Sequence, residues 1–354
     1  MSAYTRERRI IGMAALVLAA VWLCATPSQS ADWRPGVVFD QAGKDDGSFN
    51  TSIARGVERF SRETGVSVEE MPVNETASPQ SVPEGLKQLI AGGANLLVSG
   101  SHDAPIIAAL ADRHPEVRFI VLDAAVDRPN VHAIVFREHE GAFLVGMLAA
   151  LESRAGKVGY IGGMDVPVIR RIACGYIQGV HHARPDVVAT LSVTGDTSAA
   201  FNDPAAGHRQ AEEQLDQGVD VIFAAAGRTG LGVMNATRER KRFAIGVDTN
   251  QNDVHPGTVL TSMIKRIDIA TYRALKSAYA GSWKPGVEVL GLADDGIGWA
   301  HDRHNAPMIS DAMLDALDEA KEAIITGTLT VQDYTKDGRC NAWTNGQPPW
   351  RTGR

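Results

Sequence analysis

Short apolar runs alternate with amphipathic stretches, twice over, and this alternation constrains the chain more than any other feature. Residues 37–39 read as a buried strand, 53–64 as a helix with Ile53, Val57 and Phe60 on one face, and 67–71 as the next strand. Helix signals at 83–91 and 105–112 then alternate with strands at 95–99, 118–122 and 131–136. After an apolar helix at 141–151 the pattern begins again. Strands at 157–161, 190–193, 219–224 and 243–247 take turns with helices at about 168–182, 204–217 and 230–237. Short links between such elements imply parallel sheets with helices on both faces. The expectation is an α/β protein with two doubly wound parallel-sheet lobes.

Length agrees with two lobes, because a single core stops growing near about 250 to 300 residues and this chain has 354. Its first 30 residues have the layout of a cleaved secretory signal. Arg6, Arg8 and Arg9 lead an apolar stretch from Ile10 to Leu23, and Ser28-Gln29-Ser30 closes it with small residues. Cys24 raises lipid attachment, but Val21-Trp22-Leu23 before it lacks the small residue such a site favours. A soluble periplasmic protein, exported and cleaved, is the expectation, with Cys24 lipidation as the lesser alternative. The formal charge of -7 becomes about -9 without those residues, which argues against nucleic acid or an anionic membrane surface as the main partner. Cys174 and Cys340 lie far apart in no metal-like spacing, and pairing or two free thiols remain open.

In open parallel sheets a ligand lies beyond the carboxyl ends of the strands. Those ends carry Asp40 to Asn50, Gly100-Ser101-His102, Asp123, Gly162-Gly163, Gly227 to Gly232, and Asp248. Phe49 is the unusual member, an aromatic between carboxylates and an asparagine. It could staple the following helix, or offer a platform on which a planar heterocycle stacks while Asp40 accepts its N–H groups. Phe201, before Asn202-Asp203-Pro204, is the second-half counterpart, with core packing as its plainer role. Asp248 could cap a turn or accept from vicinal hydroxyls. Lys265 could face solvent or donate to a sugar oxygen.

Signatures for other chemistry are missing. Gly227-Arg228-Thr229-Gly230-Leu231-Gly232 departs from the dinucleotide glycine order and reads as a tight strand-to-helix turn rather than a phosphate cradle, with backbone N–H groups that could still bond a neutral ligand oxygen. The histidines form no metal constellation: His181 and His182 are adjacent, and His301 and His304 fall in a polar loop. No nucleophile elbow is present. Neither catalysis, a metal nor a cofactor is expected.

With these residues in view, the chain resembles the basic membrane protein family, the purine-nucleoside-receptor-like solute-binding components of ABC importers. The resemblance runs from Val37 to about Gly298. It is carried by Gly43-Lys44-Asp45-Asp46-Gly47-Ser48-Phe49-Asn50, Gly141-Ala142-Phe143-Leu144-Val145-Gly146, Gly156-Lys157-Val158-Gly159-Tyr160-Ile161-Gly162-Gly163, Phe223-Ala224-Ala225-Ala226-Gly227, Gly246-Val247-Asp248 and Ser262-Met263-Ile264-Lys265. It implies a type I periplasmic-binding-protein fold whose two lobes close on a purine nucleoside and deliver it to an inner-membrane ABC permease. Phe49 would stack on the base with Phe201 opposite. Asp40, Asn50 and Asp123 would contact the base edge, and Asp248, Lys265 and backbone near Gly227 the ribose. Arg228 stands where the family usually has a second glycine.

On this reading the lobes are discontinuous, the first at about 32–139 plus 258–285 and the second at about 140–257 plus 286–354, in a monomer. Other solutes fit the same importer role, among them a free nucleobase, a flavin-like vitamin or another polar solute. A periplasmic nucleoside-processing enzyme is a different class, as is a sugar-responsive regulator of this fold. The regulator would need a DNA-binding helix pair where the chain carries its signal segment.

Overall fold

The computed structural model describes residues 33–71, 81–100, 104–343 and 350. The expected signal segment and Cys24 therefore lie outside the described residues, as do Ser101 and His102. The first half runs β1 (Pro35–Val38), α1 (Phe49–Thr64), β2 (Glu69–Met71), α2 (Ser81–Ala91), β3 (Leu96–Gly100), α3 (Ala104–Arg113), β4 (Arg118–Leu122) and β5 (Val131–Phe136). The second runs α4 (Glu138–Glu152), β6 (Lys157–Met164), α5 (Pro167–Ala183), β7 (Val188–Gly195), α6 (Pro204–Asp216), β8 (Val221–Ala225), α7 (Thr229–Glu239) and β9 (Phe243–Asp248). Then come β10 (Val259–Lys265), α8 (Ile267–Tyr279), β11 (Gly286–Leu290), β12 (Ile297–Trp299), α9 (Asp311–Ile325) and α10 (Tyr334–Asp337).

The strands form two six-stranded sheets, β11-β5-β4-β3-β1-β2 and β12-β10-β9-β8-β6-β7. Their first five strands share one order, 2-1-3-4-5 in each half, and all pairs are parallel except β10 with β12. Inner strands such as β3 and β8 are buried throughout, as expected for strands covered on both faces. The expected pair of doubly wound parallel-sheet lobes is what the chain forms. In both sheets the strand order reverses beside the first strand, and there the connections after β1 and β3, or β6 and β8, leave in opposite directions.

The sheets divide the later residues differently from the boundaries expected at 258 and 286. Residues 259–265 form β10 inside the second sheet, and 286–290 form β11 on the edge of the first. A parallel neighbour is normally reached through a crossover of a dozen or more residues that holds a helix. The link from β9 to β10 is short and holds none, so the sequence offered no sign that β10 stays beside β9. The chain crosses between sheets through α4, α8 and the residues after β11. Helix α4 is buried on nearly every side, consistent with its unbroken apolar sequence. It packs closely on α5, where a Cβ on Gly146 would lie 2.2 Å from the carbonyl oxygen of Tyr176.

Cys174 in α5 and Cys340 in the C-terminal segment are joined as a disulfide, which settles the pairing that their spacing left open. The same segment brings Trp343 and Trp350 into buried positions, with Trp350 stacked 6.2 Å from Tyr160 of β6, centroid to centroid. No helix among the described residues is long and apolar enough to cross a membrane.

Candidate functional site

The carboxyl ends of both sheets meet at one cavity. Asp40, Phe49, Asp123, Phe201, Gly227, Asp248 and Lys265 all line it, together with Ala42, Asp46, the α5 residues Val168, Ile169 and Ile172, and Ala225 and Val247. Seven of the eight residues singled out in the sequence are therefore brought together. The eighth, Asn50, is buried behind the cavity wall.

Local chemistry places each group. After β1 the chain turns through Asp46, whose carboxylate accepts from the backbone N–H groups of Ser48, Asn50 and Thr51 at 2.8 to 3.0 Å. That satisfies donors a helix start leaves unpaired, and α1 begins at Phe49. Asn50 Nδ2 donates to both Asp40 and Asp46, while Asn50 Oδ1 accepts from the Asp40 N–H at 3.2 Å. Asn50 thus orients the two acids. The Phe49 ring lies over Gly100 at the end of β3, where a Cβ would sit 2.1 Å from Phe49 Cε1. Only glycine leaves room for the ring there.

Phe201 is seated in the same manner by a different route. Its ring covers Gly163 at the end of β6, where a Cβ would come within 2.2 Å of Phe201 Cε1. The turn that carries it, Ser198–Phe201, is pinned through the Ala200 carbonyl, which accepts from Thr194 Oγ1 at 2.9 Å and Thr229 Oγ1 at 2.8 Å. Phe49 follows the first strand of its sheet and Phe201 the second, so the rings are counterparts in place and not in topology. Arg228, at the N-terminus of α7, does not line the cavity.

Asp123 and Asp248 each close a strand in left-handed backbone, with φ of 66° and 65°. Such angles are uncommon outside glycine, and aspartate is among the few side chains that tolerate them. Lys265, 3 % exposed at the end of β10, bonds Asp123 and lies 2.9 Å from Glu138 Oε1. It also lies 5.7 Å from the Phe49 ring centre and 5.1 Å from that of Phe136. Glu138 in turn bonds Arg171 at 2.9 Å, and Arg171 reaches Asp333 at 2.9 Å. Sequence reasoning passed over Glu138, Arg171 and Asp46. Glu138 stands two residues past β5, a strand end not counted among those in the sequence, Arg171 lies inside α5, and Asp46 gave no sign that its carboxylate would turn back onto α1.

Burial alone would lower the Lys265 ammonium, but Asp123, Glu138 and Asp248 outweigh it and hold the group above its ordinary value. Lys265 is a fixed cation. Burial would likewise raise Glu138, and Lys265 and Arg171 bring it below the usual carboxylate range. Burial pushes the Asp248 carboxyl up to about 6, with Asp123 and Asp46 adding to the rise and Lys265 and the 2.5 Å bond from Ser48 Oγ opposing it. Two phenyl faces, several acceptor carboxylates and one cation already matched by acids suit a neutral, flat, hydroxylated solute. An anion would meet more acid than base.

One group of potential metal ligands stands apart from the cavity. His208 and Glu212, four residues apart on α6, and Glu239 at the end of α7 bring ligand-type atoms within 4.8 Å of one another. Reading the histidines as forming no metal constellation did not foresee this grouping, which only the fold brings together. Arg240 already pairs with Glu212 at 2.6 Å, and all three groups are solvent-accessible.

Comparison with known proteins agrees with this geometry. Residues 35–335 match the Bmp family model, described as ABC transporter substrate-binding protein, PnrA-like. A basic membrane protein D of Borreliella burgdorferi is 28 % identical over 72 % of this chain and 75 % of its own. An uncharacterized lipoprotein of Pyrococcus abyssi is 30 % identical over 77 % of this chain and 70 % of its own. An ABC transporter solute-binding protein from Aeropyrum pernix, solved by crystallography, is 30 % identical, with a TM-score of 0.76 over 86 % of this chain and 95 % of that one. The fold is thus that of a solute-binding protein, and the chain belongs to the Bmp family of ABC transporter substrate-binding proteins.

Proposed function

We propose that this protein captures a purine nucleoside in the cavity between its sheets and hands it to an ABC permease. The observation that carries the reading is that Phe49 and Phe201, from opposite sheets, line one cavity together with Asp40, Asp123, Asp248 and Lys265. A purine stacks on phenyl faces, while Asp40 and Asp123 accept from its N–H edge. The ribose hydroxyls donate to Asp248, Lys265 donates to a sugar oxygen, and backbone at Gly227 completes the pocket. Asn50 acts by holding Asp40 in place. The protein works as an exported monomer, and the Cys174–Cys340 disulfide favours an oxidising compartment. The relative described as a lipoprotein keeps anchoring through Cys24 as the alternative to cleavage after residue 30.

The test is calorimetric titration of the mature protein with inosine, adenosine and guanosine beside hypoxanthine, riboflavin and ribose. Affinity for nucleosides well above that for the free base and the sugar is expected, with no release of free base on incubation. Preference for riboflavin or a free base would discard the nucleoside, and liberated base would make the protein an enzyme.

A further inference from the structure

Away from the cavity lining, hydrogen bonds among the described residues join the stretch after β1 to the second sheet at Gly47 and at Gln41. The Gly47 carbonyl accepts from Thr249 Oγ1 at 2.7 Å and from Gln251 Nε2 at 3.0 Å. The Gln41 side-chain oxygen accepts from Ser198 Oγ at 2.8 Å, and its backbone carbonyl from Asn202 Nδ2 at 3.1 Å. None of these six residues lines the cavity.

At the Gly47 contact both ends are rigid. On the first sheet's side, the Asp46 carboxylate binds the backbone N–H groups of Ser48, Asn50 and Thr51, and the Gly47 N–H donates to Thr51 Oγ1 at 2.8 Å, which aims the Gly47 carbonyl. On the second sheet's side, Gln251 Oε1 accepts from the Val247 N–H at 2.9 Å and the Gln251 N–H donates to Ser262 Oγ at 3.0 Å. Gly246 makes room for this, since a Cβ there would lie 2.4 Å from Gln251 Oε1. Contacts between two such ends are made or lost as units when the lobes meet or part.

We propose that Thr249 and Gln251 on Gly47, with Ser198 and Asn202 on Gln41, form a two-point latch that sets ligand affinity from outside the cavity. The proposal rests on the reading that a solute is held between the lobes. A latch of this kind raises the share of closed protein and must break before the solute leaves, so it acts mainly on release.

The test is the double variant Ser198→Ala/Thr249→Val, which removes one donor from each point and keeps side-chain shape; Asn202→Ala serves as a second, milder variant. Inosine release is followed by stopped-flow tryptophan fluorescence, and the ligand-free proteins by small-angle scattering. Release about tenfold faster in the double variant, with affinity weakened to match, is expected from two lost bonds. Unchanged or slower release overturns the latch. If the parent protein binds no inosine, the nucleoside reading fails by itself and scattering decides: a larger radius of gyration in the variant supports the latch, and an equal one overturns it.

Discussion

At the scale of single residues, Asp248 makes the site costly to fold. An ordinary aspartate titrates near 3.8 and this one is pushed up to about 6. Between those values the folded chain keeps a proton that the unfolded chain has lost, so this group's share of stability falls as pH rises from about 4 to about 6. At neutral pH the cost is ~3 kcal/mol. Asp248→Asn is expected to unfold at higher urea than the parent at pH 7, with the difference vanishing near pH 4; equal midpoints at pH 7 would show that Lys265 already offsets the burial. A bound nucleoside whose hydroxyls donate to the carboxylate favours its ionised form. Affinity should therefore weaken as pH falls from 7 to 5 in the parent, and stay flat in the variant. Phe49→Ala should cost ~1 to 3 kcal/mol of base stacking, roughly 5- to 150-fold in Kd by titration, with little change in melting temperature because the ring is only half-buried. Strand-end acids and lone aromatics are legible in a sequence, because chain direction alone brings them to the mouth of a parallel sheet. The partners that orient them are less so: Glu138 opens a helix remote in sequence from Lys265, and Arg171 lies on another.

At the scale of elements, α1 shows how closely fold and site are joined. Its N-terminus is built from Asp46, and its first residue is Phe49, so the group that starts the helix also aims the ring. Burial raises the Asp46 carboxyl above its ordinary value, with the three backbone N–H bonds working against that rise. Asp46→Ala should lower stability by ~1 to 2 kcal/mol, the usual effect of a lost helix cap, and weaken the ligand as well. Loss of stability with affinity intact, read from urea midpoints beside titrations, would separate the cap from the site. The strand and helix pattern was readable through β9 because each element kept its period and its turn residues. It failed at β10 and β11, where a helix-free link joins parallel neighbours and a crossing helix, α8, looks like any other.

At the scale of the whole molecule, both the ionic chain behind the cavity and the disulfide end in the C-terminal segment. Successive ion pairs link Lys265, Glu138, Arg171 and Asp333 from the cavity to that segment, and Cys174, one turn beyond Arg171 on α5, ties the same segment covalently. The bond spans a sequence separation of 166, for which loop-closure entropy sets an upper bound of about 5 kcal/mol. Removing one member of a buried ion chain would strand a charge, whereas cutting the disulfide strands none. Reduction, or Cys174→Ala/Cys340→Ala, should therefore lower the urea midpoint strongly while leaving inosine affinity within about threefold of the parent, a difference under 1 kcal/mol. A much larger loss of affinity at urea concentrations where the reduced protein stays folded would mean something else. The C-terminal segment would then be setting the position of Lys265 through Arg171 and Glu138, and the ligand site would extend in its energetics to the end of the chain.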